Sequence, residues 1–197
     1  QKWLGIKAHF HEPSPPYSVD LYFFAGGYCG VQPVAPRVIN VSAMVRADAA
    51  TTLGAVFARH PQLHARSSNW QPASEPVTTS PLLFCRPDPL RKNVLLAGDA
   101  AGFVDPFVGD GIALALRSGA LAAQCLLPFF RGESSLPAAA RAYGETYRQA
   151  FLPVFRNAAR LRRLLRLPAR LRAPFVHLLE HTGLPEFVVR STRGAVG

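Results

Sequence analysis

The chain has 197 residues, of which 49% are hydrophobic and 17% charged, with a formal net charge of +10. A chain this apolar can bury a core, which excludes a disordered tail, and its length suits one large domain or parts of two. The charge is local: nine Arg and one acid, Glu145, fall between Arg141 and Arg172 and carry +8 of the +10.

The first third reads as β. The runs LGIKAHF, VDLYFFAG, GYCGVQPV and RVINVSAMV are short and rich in Val, Ile, Tyr and Phe. Turn residues separate them at Pro13 to Pro16, Gly26-Gly27 and Pro33 to Pro36, which predicts an antiparallel meander. A short helix is expected near Thr51 to Arg59, with Pro61 as its stop. From Ser67 to Pro89 there are five Pro and little periodicity, so this is a connecting segment with one short strand around Val77 to Thr79. Asn93 to Ala97 then reads as a buried strand running into a Gly-Asp turn. Asp110 to Leu127, rich in Ala and Leu and free of Pro, reads as a buried helix. Pro137 suits the first turn of a further helix to about Ala150. Phe151, Val154, Phe155, Ala158, Leu161 and Leu165 continue it as an apolar helical face. Pro168, Pro174 and Pro185 punctuate the rest of the chain, and the terminal STRGAVG reads as frayed.

No uninterrupted apolar run reaches the ~18–20 residues that span a bilayer, which argues against a membrane-spanning chain. The opening QKWLGIKAHF has no Met and no basic-then-apolar leader, and reads as the interior of a longer chain. Cys29, Cys85 and Cys125 lie far apart and form no CxxC pair, which is compatible with a reducing cytoplasm.

The chemistry is concentrated in LLAGDAAGFVDPFVGDGIALALRSG, Leu95 to Gly119. A hydrophobic strand ends in Gly98-Asp99, and open α/β sheets bind ligands at the carboxyl ends of their strands. A carboxylate there can accept hydrogen bonds from ligand hydroxyls. Ala100 and Ala101 let the next backbone segment pack close, and Pro106 stiffens the loop. Gly109 and Gly111 flank a helix start, where bare backbone N–H groups can approach a planar or anionic ligand. The positive end of the helix dipole favours electron-rich ligand atoms there.

Taken whole, GDAAG, then PFVGDG, then IALALRSG resembles the second flavin-binding motif of FAD-dependent oxidoreductases of the geranylgeranyl reductase and aromatic hydroxylase type. The resemblance implies a cofactor site of Gly98, Asp99, Pro106, Gly109, Asp110, Gly111 and Ile112. Asp99 would hydrogen-bond the ribityl chain of FAD, and Gly109 to Ile112 would present backbone to the pyrimidine edge of the ring. Gly102 stands where aromatic hydroxylases usually carry His, and Asp105-Pro106 where they often carry paired prolines. Both departures resemble the reductase-like branch. GGYCGVQPV followed by INVSAMV is also similar to that branch's substrate sheet, with Gly30 in place of a Trp. The family's first motif, GxGxxG, which binds the FAD pyrophosphate, is absent from these residues.

The resemblance therefore implies an α+β (α/β) chain in two parts. Residues 1–80 would be part of an antiparallel substrate-domain sheet. Residues 81–197 would be the closing strand and helices of a Rossmann-like FAD-binding domain with trailing helices. The implied function is flavin-mediated reduction or monooxygenation of a hydrophobic or aromatic small molecule, with NAD(P)H as donor and the GxGxxG half as partner. In this family the flavin itself reacts, so no catalytic side chain is assigned. The alternative is a shortened, non-catalytic paralogue that binds lipid or protein.

Plainer roles suit the other polar and reactive residues. His9 and His11 share a strand face but lack a third metal ligand, so a half-exposed strand is expected and no metal. Cys29 is expected to pack, Asp105 and Asp110 to bond within their loop, and Ser118 and Gly119 to permit close helix packing. Arg156, Arg160 and Arg163 line one helix face. A solvated face is expected first, then docking at a membrane surface, which would make a cytoplasmic protein peripheral to the membrane. Nucleic acid is not expected, because phosphate-reading elements are missing.

Overall fold

The computed structural model describes residues 2–79, 81–106 and 109–165. Pro168, Pro174, Pro185 and the STRGAVG terminus lie outside the described residues, as do Phe107, Val108 and the side chains of Leu161 and Leu165. The chain has mixed helices and antiparallel sheets, and divides into two compact units, Gln1–Leu83 and Phe84–Gly197.

In the first unit, β1 (Trp3–His11), β2 (Asp20–Phe24), β3 (Gly27–Ala35) and β4 (Val38–Arg46) form the expected antiparallel sheet. The order is β2-β3-β4-β1, and two-residue strands β5 (Gln71–Pro72) and β6 (Val77–Thr78) pair with β1. Alternation puts one side chain in two on each face. The register aligns Ile6, Ala8 and Phe10 of β1 with Ala43, Val41 and Ile39 of β4. It aligns Cys29 and Val31 of β3 with the same Ala43 and Val41. These side chains form a core that α1 (Leu53–Phe57), α2 (Pro61–Ser67) and Trp70 cover through Leu53, Val56 and Leu63. Thr52 caps α1, its Oγ1 accepting the Ala55 N–H at 3.3 Å. Pro61 stops nothing. It opens α2 at the first helical turn, where a missing N–H has no intrahelical partner to lose.

A charged staple that sequence reasoning missed ties α2 to the sheet. Arg66 donates to both oxygens of Glu12 at 2.7 and 2.8 Å, to Asp20 at 2.7 Å and to the Tyr22 hydroxyl at 2.9 Å. Trp70 Nε1 donates to Glu12 at 3.1 Å. The Arg66 hydrogen bond holds the Glu12 carboxyl below its usual range, against the opposing effect of burial.

In the second unit, β7 (Leu90–Arg91) and β8 (Val94–Leu95) form a two-residue hairpin ladder. The buried strand expected at Asn93 to Ala97 is therefore shorter, and Val94 is exposed. Among the described residues the strand pairs only with β7, and a ladder ends where its neighbour does. A 3-10 turn, Gly98–Ala100, leads to α3 (Gly111–Phe130), and α4 (Leu136–Leu165) continues through Pro153. The two helices pack through Leu114, Tyr143, Tyr147, Phe151, Val154 and Ala158, with Ala101 and Val104 of the intervening loop. At Gly144 a Cβ would come within 2.6 Å of Leu90 Cδ1, so the glycine admits the β7 side chain to α4.

The expectation of a buried α3 is corrected. Leu114 and Ser118 are buried, but Ile112, Leu116, Leu127 and Phe130 form an exposed stripe along the other side. By length and composition α3 could also cross a membrane. Arg117 and small residues interrupt its apolar run without making it polar, which a search for unbroken runs overlooks. Arg117 itself lies over the Phe151 ring, 5.4 Å from the centroid.

Candidate functional site

The GDAAG turn is bolted to α3. Gly98 has a positive φ of 57°, which favours glycine, and a Cβ there would sit 3.1 Å from Ala115 Cβ. Its N–H donates to Ser118 Oγ at 2.9 Å, while that hydroxyl donates to Ala115 O at 3.1 Å. The expected packing role of Ser118 is thus real and includes a hydrogen bond. Gly119 has no such role: a Cβ there would meet nothing within 4 Å. Ala101 and Gly102 fold back, their N–H groups donating to Gly98 O at 3.0 and 3.2 Å. Beside them Asp88 N–H donates to Ala101 O at 2.7 Å, and a Cβ on Gly102 would be 3.0 Å from Pro87. Any side chain at position 102 would press its Cβ on that proline, a physical reason for the glycine. The strand before the turn is anchored by Tyr143, whose hydroxyl donates to Leu96 O at 2.6 Å. Burial pushes the Tyr143 phenol up to about 12.

This framework leaves Asp99 exposed at the turn. The loop beyond closes where Gly109 N–H donates to Pro106 O at 3.0 Å, with Gly109 at a φ of 79°. Asp110 is the residue before α3 and is buried, and its side chain does not cap the helix. Its carbonyl accepts the Leu114 N–H at 2.9 Å, the first bond of the helical ladder. The amides of Gly111, Ile112 and Ala113 precede that bond and have no acceptor within the helix. Among the described residues nothing lies within 4 Å of a Cβ built on Gly109, and a Cβ on Gly111 would meet only Val104 Cγ1 at 4.0 Å. Ile112 is 80% exposed. The exposed members Asp99, Pro106, Gly109 and Ile112 are thus held by Gly98, Ser118 and the helix start, while the Asp110 carboxyl turns inward.

Those features are of a kind that could hold a flavin. A carboxylate stands open to ligand hydroxyls, helix amides stand open to an electron-rich ring edge, and the glycines leave the approach clear. The residues present fit the group.

The remaining candidates fall out of the site. Asp105 is buried, with Arg162 Nη1 at 3.8 Å from its carboxylate. Cys29 is fully buried, and burial pushes its thiol up to about 12, consistent with packing rather than reactivity. His9 is half-buried and His11 exposed, and no group of three metal-ligating side chains occurs among the described residues. Arg156, Arg160 and Arg163 are exposed, opposite the buried Phe151, Val154 and Ala158.

No protein-family model matches the sequence, and no curated protein matches it. Solved structures do. The flavin-dependent brominase Bmp2 superposes with a TM-score of 0.71 at 17% identity, over 98% of this chain and 50% of that one. A geranylgeranyl bacteriochlorophyll reductase-like protein from Thermoplasma acidophilum gives 0.66 at 21% identity, over 87% and 45%. The myxobacterial chondrochloren halogenase CndH, an FAD-dependent halogenase, gives 0.62 at 21% identity, over 96% and 51%. At these identities the likeness is one of fold, and this chain spans about half the length of these three chains.

Proposed function

We propose that the chain is part of an FAD-dependent oxidoreductase that reduces or monooxygenates a hydrophobic or aromatic small molecule, with NAD(P)H as electron donor. On this reading residues 81–197 contribute the closing portion of a Rossmann-like FAD-binding domain, and the pyrophosphate-binding half lies in sequence beyond these 197 residues. The observation that carries it is an exposed Asp99, on a turn whose Gly98 N–H is bound by Ser118 of α3, together with a helix start at Gly109 to Ile112 whose glycines leave space among the described residues. The fold shared with flavin-dependent enzymes supports it.

When bound, FAD supplies the redox chemistry. The chain's own residues bind and orient. Asp99 accepts hydrogen bonds from ribityl hydroxyls, and the Gly111 and Ile112 amides donate to the ring's pyrimidine edge. The α3 dipole, positive at that end, favours negative charge on the ring. Gly98 and Ser118 keep Asp99 in register with the helix.

The test is FAD binding to the complete reading frame. Asp99→Ala removes a charge-assisted hydrogen bond and should weaken FAD roughly 10- to 150-fold. Gly111→Val should lower flavin content while leaving the apoprotein's melting temperature near wild type, because among the described residues a Cβ there meets only Val104 Cγ1, at an ordinary 4.0 Å. Unchanged FAD affinity in both variants refutes the site. The exposed apolar stripe of α3 favours one second reading, a non-catalytic module that binds lipid or protein. Absence of any flavin absorbance from the complete protein, refolded with FAD, would select it.

A further inference from the structure

The second unit contains a cleft of about 470 Å³ that plays no part in the flavin reading. Its walls are aromatic, with the Phe84 and Phe103 rings 5.5 Å apart at 48° and Phe155 of α4 beside them in the lining. Clefts that hold small organic ligands occupy about 300–1,000 Å³ and combine such walls with a few placed polar groups. Here four of the five charged side chains in the lining are arginines. Arg162 lies 4.0 Å from the Phe84 centroid and 3.8 Å from the carboxylate of Asp105, the only acidic residue in the lining among the described residues. With that charge offset, Arg86, Arg156 and Arg163 remain as exposed cations around an aromatic hollow.

We propose that this cleft binds a small anionic amphiphile, a molecule with an apolar or aromatic body and one carboxylate or phosphate head. The body would lie among the three phenylalanines, and the head would meet Arg156 and Arg163. A neutral apolar molecule satisfies the walls but leaves the cations unused. A small inorganic anion satisfies the cations but gains nothing from the walls. The inference is independent of the flavin reading, since the cleft shares none of the residues assigned to the cofactor.

Cys85 provides a local reporter. It lines the cleft and is exposed, whereas Cys29 is fully buried and Cys125 is partly buried. The experiment uses the full chain and follows alkylation of Cys85 by iodoacetamide, read by peptide mass spectrometry, against increasing decanoate below its micelle concentration. Saturable protection of Cys85 is expected. Decanol should require about ten times the concentration for the same protection, the difference a charge-assisted hydrogen bond makes. The double variant Arg156→Gln/Arg163→Gln should erase the advantage of decanoate and leave decanol unchanged. Both positions are exposed, so circular dichroism should show the fold intact. Any of three results overturns the proposal: no saturable protection by decanoate, equal midpoints for decanoate and decanol, or a double variant that behaves as wild type. Protection by phosphatidylglycerol vesicles without protection by monomeric decanoate also overturns it, and assigns the arginines to a bilayer surface instead.

Discussion

In the sheet unit, alternate residues of β1, β3 and β4 are sealed beneath α1, α2 and Trp70, whereas in the helical unit α3 leaves Ile112, Leu116, Leu127 and Phe130 in solvent. Both units draw on the same aliphatic and aromatic residues. They differ in where the covering layer comes from. The sheet's cover comes within a few residues, because β4 runs directly into α1 and α2. A helix that is apolar all round needs partners on every side. Among the described residues α3 has them on one, from α4 and the 98–104 loop. The contrast teaches that a unit can be locally well packed and still present an unsatisfied face. It is the behaviour expected if the helical unit is a portion of a larger layered domain.

The comparison is tested most severely at Arg66, where the sheet unit's closure depends on charge. Arg66 and Glu12 side chains are 16% and 11% exposed. Arg66→Ala leaves the carboxylate mostly buried and unpaired, which should destabilise this unit by about 3 kcal/mol. Both tryptophans, Trp3 and Trp70, lie in this unit, so tryptophan fluorescence, excited selectively, reads it during urea unfolding. The sign of the pH dependence comes from Glu12. Its folded pKa is depressed, so its contribution is present above the unfolded value and is lost as pH falls through the folded one. Wild type should hold its midpoint from neutral pH to the ordinary carboxylate range and lose stability below it. Arg66→Ala should lose that acid dependence. A variant with wild-type midpoint and acid profile would show that α2 is held by Leu63 and its neighbours alone.

Legibility in the sequence tracks the distance between partners. The four long strands are legible because period-two alternation and Gly or Pro punctuation are local signals. The GDAAG and PFVGDG motif is legible because its parts lie within one short run. The Arg66 staple is not, since Glu12 and Arg66 are 54 residues apart and nothing near either one names the other. Pro61 misleads because a proline that ends one helix and one that begins the next look alike in a sequence. The strand at Asn93 to Ala97 reads too long because hydrophobicity marks the need to be covered, and pairing depends on which neighbour is present.

A milder test sets two leucines of α3 against each other. Leu114 is 7% exposed and Leu116 is 71% exposed, two residues away on the same helix. Leu114→Ala should destabilise the helical unit by about 2–3 kcal/mol, as core truncations do. Leu116→Ala should stay within about 0.5 kcal/mol of wild type. Circular dichroism reports on this unit, because α3 and α4 are its principal helices and by far the longest among the described residues, 20 and 30 residues. Equal losses would mean that the outer stripe of α3 is covered in solution, and concentration dependence of the melt would then reveal self-association.

The smallest expected effect lies where the helical unit meets its candidate site, at Ser118. The side chain is 2% exposed, and its Oγ holds the Gly98 N–H at 2.9 Å. Ser118→Ala removes the acceptor and leaves a half-buried donor without it, a loss of about 1–3 kcal/mol. Alanine recovers roughly 0.5 kcal/mol as the better helix former, so the net change should be near 1 kcal/mol. A global melt resolves that poorly. Hydrogen exchange resolves it well, because the change is confined to one amide. In wild type the Gly98 amide should exchange slowly, and in Ser118→Ala it should exchange markedly faster, while amides in the middle of α4 shift only by the small global change. The turn also carries Asp99, so on the proposed FAD reading the same variant should weaken FAD less than Asp99→Ala does, by loosening the carboxylate rather than removing it. Unchanged protection at Gly98 would mean that the turn is held by its own 98–102 hydrogen bonds, and α3 would lose its role in positioning Asp99.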